Sequence, residues 1–139
     1  MQRLFLLTLG AVLATASPAF SRVQNICKDA LEEPQHPPAA VGFSADSTAL
    51  PPDERERLRA MVPEFLRIKN LQLCILAQGD GLGDGRYNKR LAERRAKAVA
   101  QVLIEAGLPP EAIHLDIGFA KSLSYHVMER RILVLQVAR

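Results

Sequence analysis

Two segments with helical spacing alternate with four short apolar segments over residues 39–137. In the first helical segment, the apolar residues recur at intervals of three and four, as on one face of a helix: Leu58, Met61, Val62, Phe65 and Leu66. This spacing predicts a helix over residues 52–69, with a kink at Pro63. The second segment predicts a helix over residues 87–106, and Gly107 is suited to end it in a left-handed conformation.

The four short apolar segments are the expected strands. Their length is typical of buried strands rather than helices, and glycine, proline and asparagine stand between them. They cover residues 40–44, 71–77, 112–117 and 131–137. The order β-α-β-α-β-β predicts an α+β domain in which two helices pack on a small mixed sheet.

The first 21 residues have the pattern of a secretory signal peptide. A short positive start containing Arg3 precedes an apolar stretch, and small residues stand three and one before Arg22. We therefore expect cleavage after Ser21 and export to the periplasm of a Gram-negative bacterium. The rest divides into an arm with a proline-rich connector at residues 22–38 and a domain at residues 39–139.

Composition excludes several classes of protein. A net charge of +3 is too small to favour nucleic-acid binding. No segment after Arg22 is long and apolar enough to span a membrane. A lipid anchor would need a cysteine at the cleavage point, and Cys27 stands too far downstream. We therefore expect a mature protein that neither spans the membrane nor carries an attached lipid.

The chain has two cysteines, Cys27 and Cys74. An oxidising compartment makes a disulfide between them plausible. Cys27 belongs to a short predicted helix of the arm around residues 23–33, and alternation places Cys74 with Gln72 on one face of a strand. The hypothesis is that a Cys27–Cys74 disulfide pins the arm to the sheet.

One arginine lies on the apolar side of the second predicted helix. At 100° per residue, Arg95 falls among Leu91, Ala98, Val99, Val102 and Ala106, opposite Lys89, Glu93, Lys97 and Ala100. Asn88, seven residues earlier, shares its face. An arginine directed at a core is costly unless it is paired, so we expect an acid opposite it. The nearest candidate along the chain is Asp80, at the end of the preceding strand.

Two interpretations of this pair remain open. In the first, Asp80 and Arg95 form a structural salt bridge. In the second, they flank a pocket and hold a zwitterionic ligand, with Asp80 binding an ammonium group and Arg95 a carboxylate.

The spacing around these residues is more specific than any one of them. It reads Asp80-x-x-Gly83, then Tyr87-Asn88-x-x-Leu91-x-x-x-Arg95-Ala96-x-x-Val99, followed by Leu103 and Gly107. Phe43 and Leu50 precede it in the right order, and Arg130-Arg131-Ile132 follows. This pattern resembles the OmpA-like peptidoglycan-binding domain family over about residues 39–137.

The resemblance implies a noncovalent peptidoglycan-binding domain. In that family the positions of Asp80 and Arg95 hold diaminopimelate, the stem-peptide residue whose side chain ends in an amine and a carboxylate. Asn88 and Arg131 are the further ligand-binding residues that it implies. Peptidoglycan is the expected partner, with other envelope proteins as further partners.

Three departures from the family pattern leave an alternative open. Gln78 and Gly79 replace the usual His and Thr before the acid, and Glu129 replaces the usual Asn. Residues 118–128 form a last loop that is shorter than the family's and lacks the proline found there. The alternative is an OmpA-like protein-interaction module of an envelope or secretion assembly with a degenerate peptidoglycan site.

Other chemistries fit less well. The glycine-rich loop at residues 79–85 lacks the Gly-Lys-Ser/Thr ending of a phosphate-binding loop. Asp80 and Asp84 lack the alternating acids of a calcium loop. The histidines are scattered, and no nucleophile motif is present. We therefore expect no enzyme activity, no metal and no cofactor.

Overall fold

The computed structural model describes residues 26–27, 39–77 and 85–117, together with the backbone of residues 131–137. The elements along the chain are strand β1 (Ala39–Gly42), helix α1 (Pro52–Leu66), strand β2 (Gln72–Ala77), helix α2 (Gly85–Glu105), a 3-10 turn (Pro110–Ala112), strand β3 (Ile113–Ile117) and strand β4 (Arg131–Val137). This order confirms the predicted α+β arrangement. The predicted signal peptide, the glycine-rich loop with Asp80 and the last loop lie outside the described residues.

The four strands form one mixed sheet in the order β1-β4-β2-β3. Strand β4 pairs antiparallel with both β1 and β2, whereas β2 and β3 are parallel. In this register Gly42 lies opposite Arg131, and Ala77 lies opposite Ile132. The last residues of β1 and β2 therefore meet the first residues of β4 at one end of the sheet, which we call the Arg131 end.

The core lies between the two helices and one face of the sheet. Apolar residues from every layer are buried in it: Val41, Leu58, Val62, Phe65, Leu73, Ile75, Val99 and Leu103. Each large aliphatic side chain removed from water in this way stabilises the fold by about 1.5–3 kcal/mol. Helix α2 packs against both α1 and the sheet, so the orientation of its side chains is set on two sides.

Two helical predictions need correction. Helix α1 continues through Pro63 but ends at Leu66, three residues before the predicted end, and Leu66 is 54% exposed. At 100° per residue Leu66 lies at the edge of the stripe formed by Leu58, Val62 and Phe65, so it faces away from the core. In α2, the spacing of 100° per residue predicted that Ala100 lies on the polar side. Ala100 is buried instead, because α2 contacts α1 as well as the sheet.

The opposite face of the sheet carries part of the arm. Ile26 and Cys27 are helical and buried, and a disulfide joins Cys27 to Cys74 of β2 with a Cα–Cα distance of 5.4 Å. This bond confirms the hypothesis made from the sequence. Leu76, two residues beyond Cys74 on the same strand face, is only 1% exposed. At Cys74 and Leu76 this face of β2 is therefore closed to solvent, although it lies away from the helices.

Candidate functional site

Arg95 is the centre of the candidate site. It is fully buried, and its guanidinium donates hydrogen bonds from Nε to the backbone oxygen of Ser47 (2.8 Å) and from Nη2 to that of Ser44 (2.9 Å). Its Cζ atom lies 5.3 Å from the centre of the Phe43 ring, a cation–π distance. Arg95 thus fastens the segment after β1 to the middle of α2.

That segment, residues 43–48, forms a tight turn that we call the Ser44 turn. The amide of Ser47 donates to the oxygen of Ser44 (3.1 Å), which also accepts from Arg95. Asp46 has a φ of 53°, a left-handed conformation that aspartate tolerates better than most residues. The hydroxyl of Tyr87 donates to Oδ1 of Asp46 (3.3 Å), so the first turn of α2 also contacts the Ser44 turn.

Asn88 lies on the same side of α2 as Arg95. It is half-buried, and its side-chain oxygen Oδ1 is buried. Its position seven residues before Arg95 corresponds to almost two turns, so the two side chains share one helix face. The structure therefore agrees with the sequence on the shared face, and whether Asn88 binds a ligand stays a prediction.

The other two predicted ligand residues are less well placed. Arg131 begins β4 opposite Gly42, beside the strand that leads into the Ser44 turn, but only its backbone is described. Asp80 lies outside the described residues, so its predicted pairing with Arg95 is not tested. The described elements bring Arg95, the Ser44 turn and the start of β4 together at the Arg131 end of the sheet.

The Ser44 turn was not predicted as a partner of Arg95. An acid was expected opposite the guanidinium, yet the two described hydrogen bonds go to backbone oxygens about 50 residues earlier in the chain. Any residue can supply a backbone oxygen, so the identities of Ser44 and Ser47 carried no signal. Phe43 did carry one, because it belongs to the pattern that resembles the family.

A cavity of about 150 Å³ lies beside this arrangement. Four residues of α2 line it, the exposed Tyr87, Arg90 and Arg94 and the buried Leu91. Asp46 and Thr48 of the Ser44 turn complete the lining. We call it the Tyr87 cavity. Arg90 and Arg94 carry no signal in the sequence, since exposed arginines on a helix are ordinary.

Two carboxyl groups away from the candidate site have shifted pKa values. Burial raises the pKa of Asp116 on β3. A hydrogen bond from Lys97, together with its positive charge, lowers the pKa of Glu93 on the exposed side of α2. Neither group faces Arg95, and neither is a candidate for ligand binding.

The described residues hold neither a metal site nor a membrane span. No group of three or more His, Cys, Asp or Glu residues within the described ranges could hold a metal ion. Among the described residues, no helix has the length and apolar character needed to cross a membrane.

The chain is similar in sequence to outer-membrane proteins of several bacteria. Over 85 residues the chain is 33% identical to the outer-membrane lipoprotein YfiB of Pseudomonas aeruginosa, covering 60% of this chain and 51% of YfiB. Over 109 residues it is 28% identical to outer membrane protein A of Bordetella avium, covering 74% of this chain and 56% of that protein. The chain thus spans about half the length of each of these relatives.

Solved structures share the fold. The C-terminal domain of Helicobacter pylori MotB superposes with a TM-score of 0.61 at 17% identity, covering 73% of this chain and 85% of that domain. The peptidoglycan-associated lipoprotein of Burkholderia pseudomallei superposes with a TM-score of 0.58 at 18% identity, covering 77% of this chain and 92% of that protein. A family model for the OmpA family matches residues 42–125, which include the Ser44 turn, Asn88 and Arg95. The chain therefore belongs to the OmpA family.

Proposed function

We propose that this domain binds peptidoglycan noncovalently in the periplasm, and that it recognises the diaminopimelate residue of the stem peptide. Membership of the OmpA family supports the proposal, as does the shared fold with a lipoprotein named for its association with peptidoglycan. The observation that carries it is the position of Arg95, a buried cation at the Arg131 end of the sheet.

The chemistry of Arg95 suits a carboxylate ligand. A guanidinium has five N–H donors in a rigid plane, and the two described hydrogen bonds fix that plane against the Ser44 turn. A fixed cation away from bulk water attracts a carboxylate more strongly than an exposed one does. In the proposed complex Arg95 binds the side-chain carboxylate of diaminopimelate and Asp80 binds the ammonium group, with Asn88 and Arg131 completing the site. Each charge-assisted hydrogen bond contributes about 1.5–3 kcal/mol net.

The full burial of Arg95 favours a second candidate function. A guanidinium with no exposed surface, bonded to the Ser44 turn, has a structural role whether or not a ligand binds. In this alternative the domain is a protein-interaction module of an envelope assembly, and its peptidoglycan site is degenerate. A ligand would reach Arg95 only by displacing the segments that cover it, whereas a structural arginine needs no such movement.

Sedimentation with purified sacculi separates the two candidates. Protein is mixed with sacculi from a diaminopimelate-containing bacterium and with sacculi whose stem peptides carry lysine instead, which lacks the side-chain carboxylate. The proposed function predicts that wild type sediments with the first kind only. This comparison changes the ligand and leaves the protein intact, so misfolding cannot explain a difference.

Variants then assign the roles of the residues. Asp80→Asn removes one charge with little change in shape, and Arg95→Lys keeps the charge but loses the planar fork. Both are expected to lower sedimentation at least tenfold, while Arg59→Gln, an exposed arginine on α1, leaves it unchanged. Folded wild-type protein that stays in the supernatant with both kinds of sacculi would overturn the proposed function.

A further inference from the structure

The Tyr87 cavity is lined by two arginines that form no ion pair with a described acid. Arg90 and Arg94 are exposed, lie four residues apart on α2 and are therefore neighbours on its surface. Within the described ranges neither guanidinium forms an ion pair, whereas Arg57, Arg67 and Lys97 each pair with a glutamate three or four residues earlier in the chain. Two like charges at this spacing repel each other, so an anion placed between them would be stabilised by both.

The remaining lining residues make the cavity a polar recess rather than an open helix surface. Asp46 is the one acid among its six lining residues, and it accepts the hydrogen bond of the Tyr87 hydroxyl. Thr48 adds a hydroxyl that can donate. The volume of about 150 Å³ accommodates a carboxylate with several waters, since a water molecule takes up about 30 Å³ of liquid.

The cavity adjoins the candidate site through the Ser44 turn. Ser47 of that turn accepts the hydrogen bond from Arg95, while its neighbours Asp46 and Thr48 line the cavity. Helix α2 also contributes neighbouring residues to the two places, because Arg94 lines the cavity and the next residue, Arg95, is the buried cation of the candidate site. The Ser44 turn and α2 therefore each contribute residues to both the candidate site and the cavity.

We propose that the Tyr87 cavity binds a second carboxylate of the same wall peptide, carried by the residue next to diaminopimelate, with Arg90 and Arg94 as the recognising groups. This inference rests on the proposed function. In the stem peptide the residue before diaminopimelate is a glutamate linked through its side chain, which leaves its α-carboxylate free. The cavity would thus distinguish stem peptides in which this carboxylate is free from those in which it is amidated.

Titration of the protein with two soluble stem tetrapeptides tests the inference. The peptides are identical except that the glutamate α-carboxylate is free in one and amidated in the other. Wild type is expected to bind the free form about tenfold more tightly, the ratio that one charge-assisted hydrogen bond supplies. Arg90→Gln and Arg94→Gln should each reduce this preference, and the double variant should abolish it without changing binding of the amidated peptide. Arg59→Gln is the matched control.

The outcomes distinguish the inference from the proposed function. If wild type binds both peptides equally, or if the double variant keeps the preference, the inference is overturned while wall binding stands. If wild type binds neither peptide, both proposals are overturned. If the double variant loses binding to anionic lipid vesicles but keeps its peptide preference, the cavity binds a lipid phosphate and the inference is wrong.

Discussion

Arg95 and Ser47 are joined by a hydrogen bond of 2.8 Å from Nε to a backbone oxygen, although 48 residues separate them in the chain. Together with the hydrogen bond to Ser44, it connects the Ser44 turn, which follows β1, to α2. The turn held in this way forms one wall of the Tyr87 cavity. The stability of the fold and the shape of the Tyr87 cavity are therefore coupled through one side chain.

Substitution of Arg95 is expected to destabilise the domain. Arg95→Ala removes the guanidinium donor from the oxygens of Ser47 and Ser44, of which Ser44 keeps the hydrogen bond from the Ser47 amide. It also leaves a vacant space under Phe43, and the two losses together should cost about 3 kcal/mol in the free energy of unfolding. Arg95→Lys should cost less, because an ammonium can satisfy one of the two oxygens. Urea denaturation measures both, with the adjacent exposed arginine as control: Arg94→Ala should change stability by less than about 0.5 kcal/mol. Equal costs for Arg95→Ala and Arg94→Ala would contradict the structural role.

Loss of the Cys27–Cys74 disulfide should lower the free energy of unfolding by about 2–4 kcal/mol. The disulfide joins residues 47 positions apart and so restricts the unfolded chain. Thermal unfolding with and without a reducing agent measures the change. The double variant Cys27→Ala/Cys74→Ala should unfold at a temperature that the reducing agent does not alter. Mass spectrometry of oxidised material that finds two free thiols would contradict the bond.

Asp116 should make stability depend on pH. Burial raises the pKa of this carboxyl above its ordinary value of 3.8, so the folded state binds its proton more tightly than the unfolded state does. Stability from this group therefore falls as pH rises from about 3.8 through the raised pKa, and above it the penalty is complete. Asp116→Asn should remove the penalty and stabilise the domain at pH 7.

The measurement for Asp116 is urea denaturation of wild type and variant between pH 3 and pH 7. The difference in unfolding free energy should grow with pH and favour the variant. Glu56→Gln, at an exposed position on α1, is the control for loss of a negative charge. A difference that shrinks as pH rises would show that the folded state prefers the ionised carboxyl.

Gly107 and Gly85 should respond oppositely to alanine. Gly107 ends the last turn of α2 with a φ of 119°, and an added Cβ would lie 4.0 Å from Leu66, so the cost of Gly107→Ala is backbone strain rather than collision. We expect a loss of about 1 kcal/mol. Gly85 begins α2 with open space around it, so Gly85→Ala should be neutral or stabilising by up to about 1 kcal/mol. Thermal unfolding of the two variants in parallel measures both changes. Stability changes of the same sign in Gly107→Ala and Gly85→Ala would contradict this account.

Most of the fold was predictable because its elements are local. Strand β4 has the predicted bounds, β2 and β3 each begin one residue later than predicted, and Gly107 has the left-handed conformation expected of a helix cap. The predicted helix ends were less accurate, because tertiary contacts decide how far a marginal last turn continues. Leu66 is apolar and correctly spaced, yet it is exposed once α1 ends there.

The candidate site was predictable only where side chains carry the information. Arg95 stood out because a charge interrupted an apolar stripe, and its full burial agrees with that prediction. The Ser44 turn did not stand out, because it binds Arg95 through backbone oxygens that every residue has. The Tyr87 cavity depends on the approach of that turn to α2, a relationship between distant segments that no local pattern reveals.

The interior position of β4 has a consequence for how the domain is made. This strand is the final element of the sheet in chain order, yet it hydrogen-bonds to both β1 and β2. Before β4 is synthesised, β1 and the β2–β3 pair have no strand between them to which both could hydrogen-bond. The four-stranded sheet can therefore close only after β4 has been synthesised, and its pairing with β1 joins segments far apart in the chain, a kind of contact that forms slowly during folding.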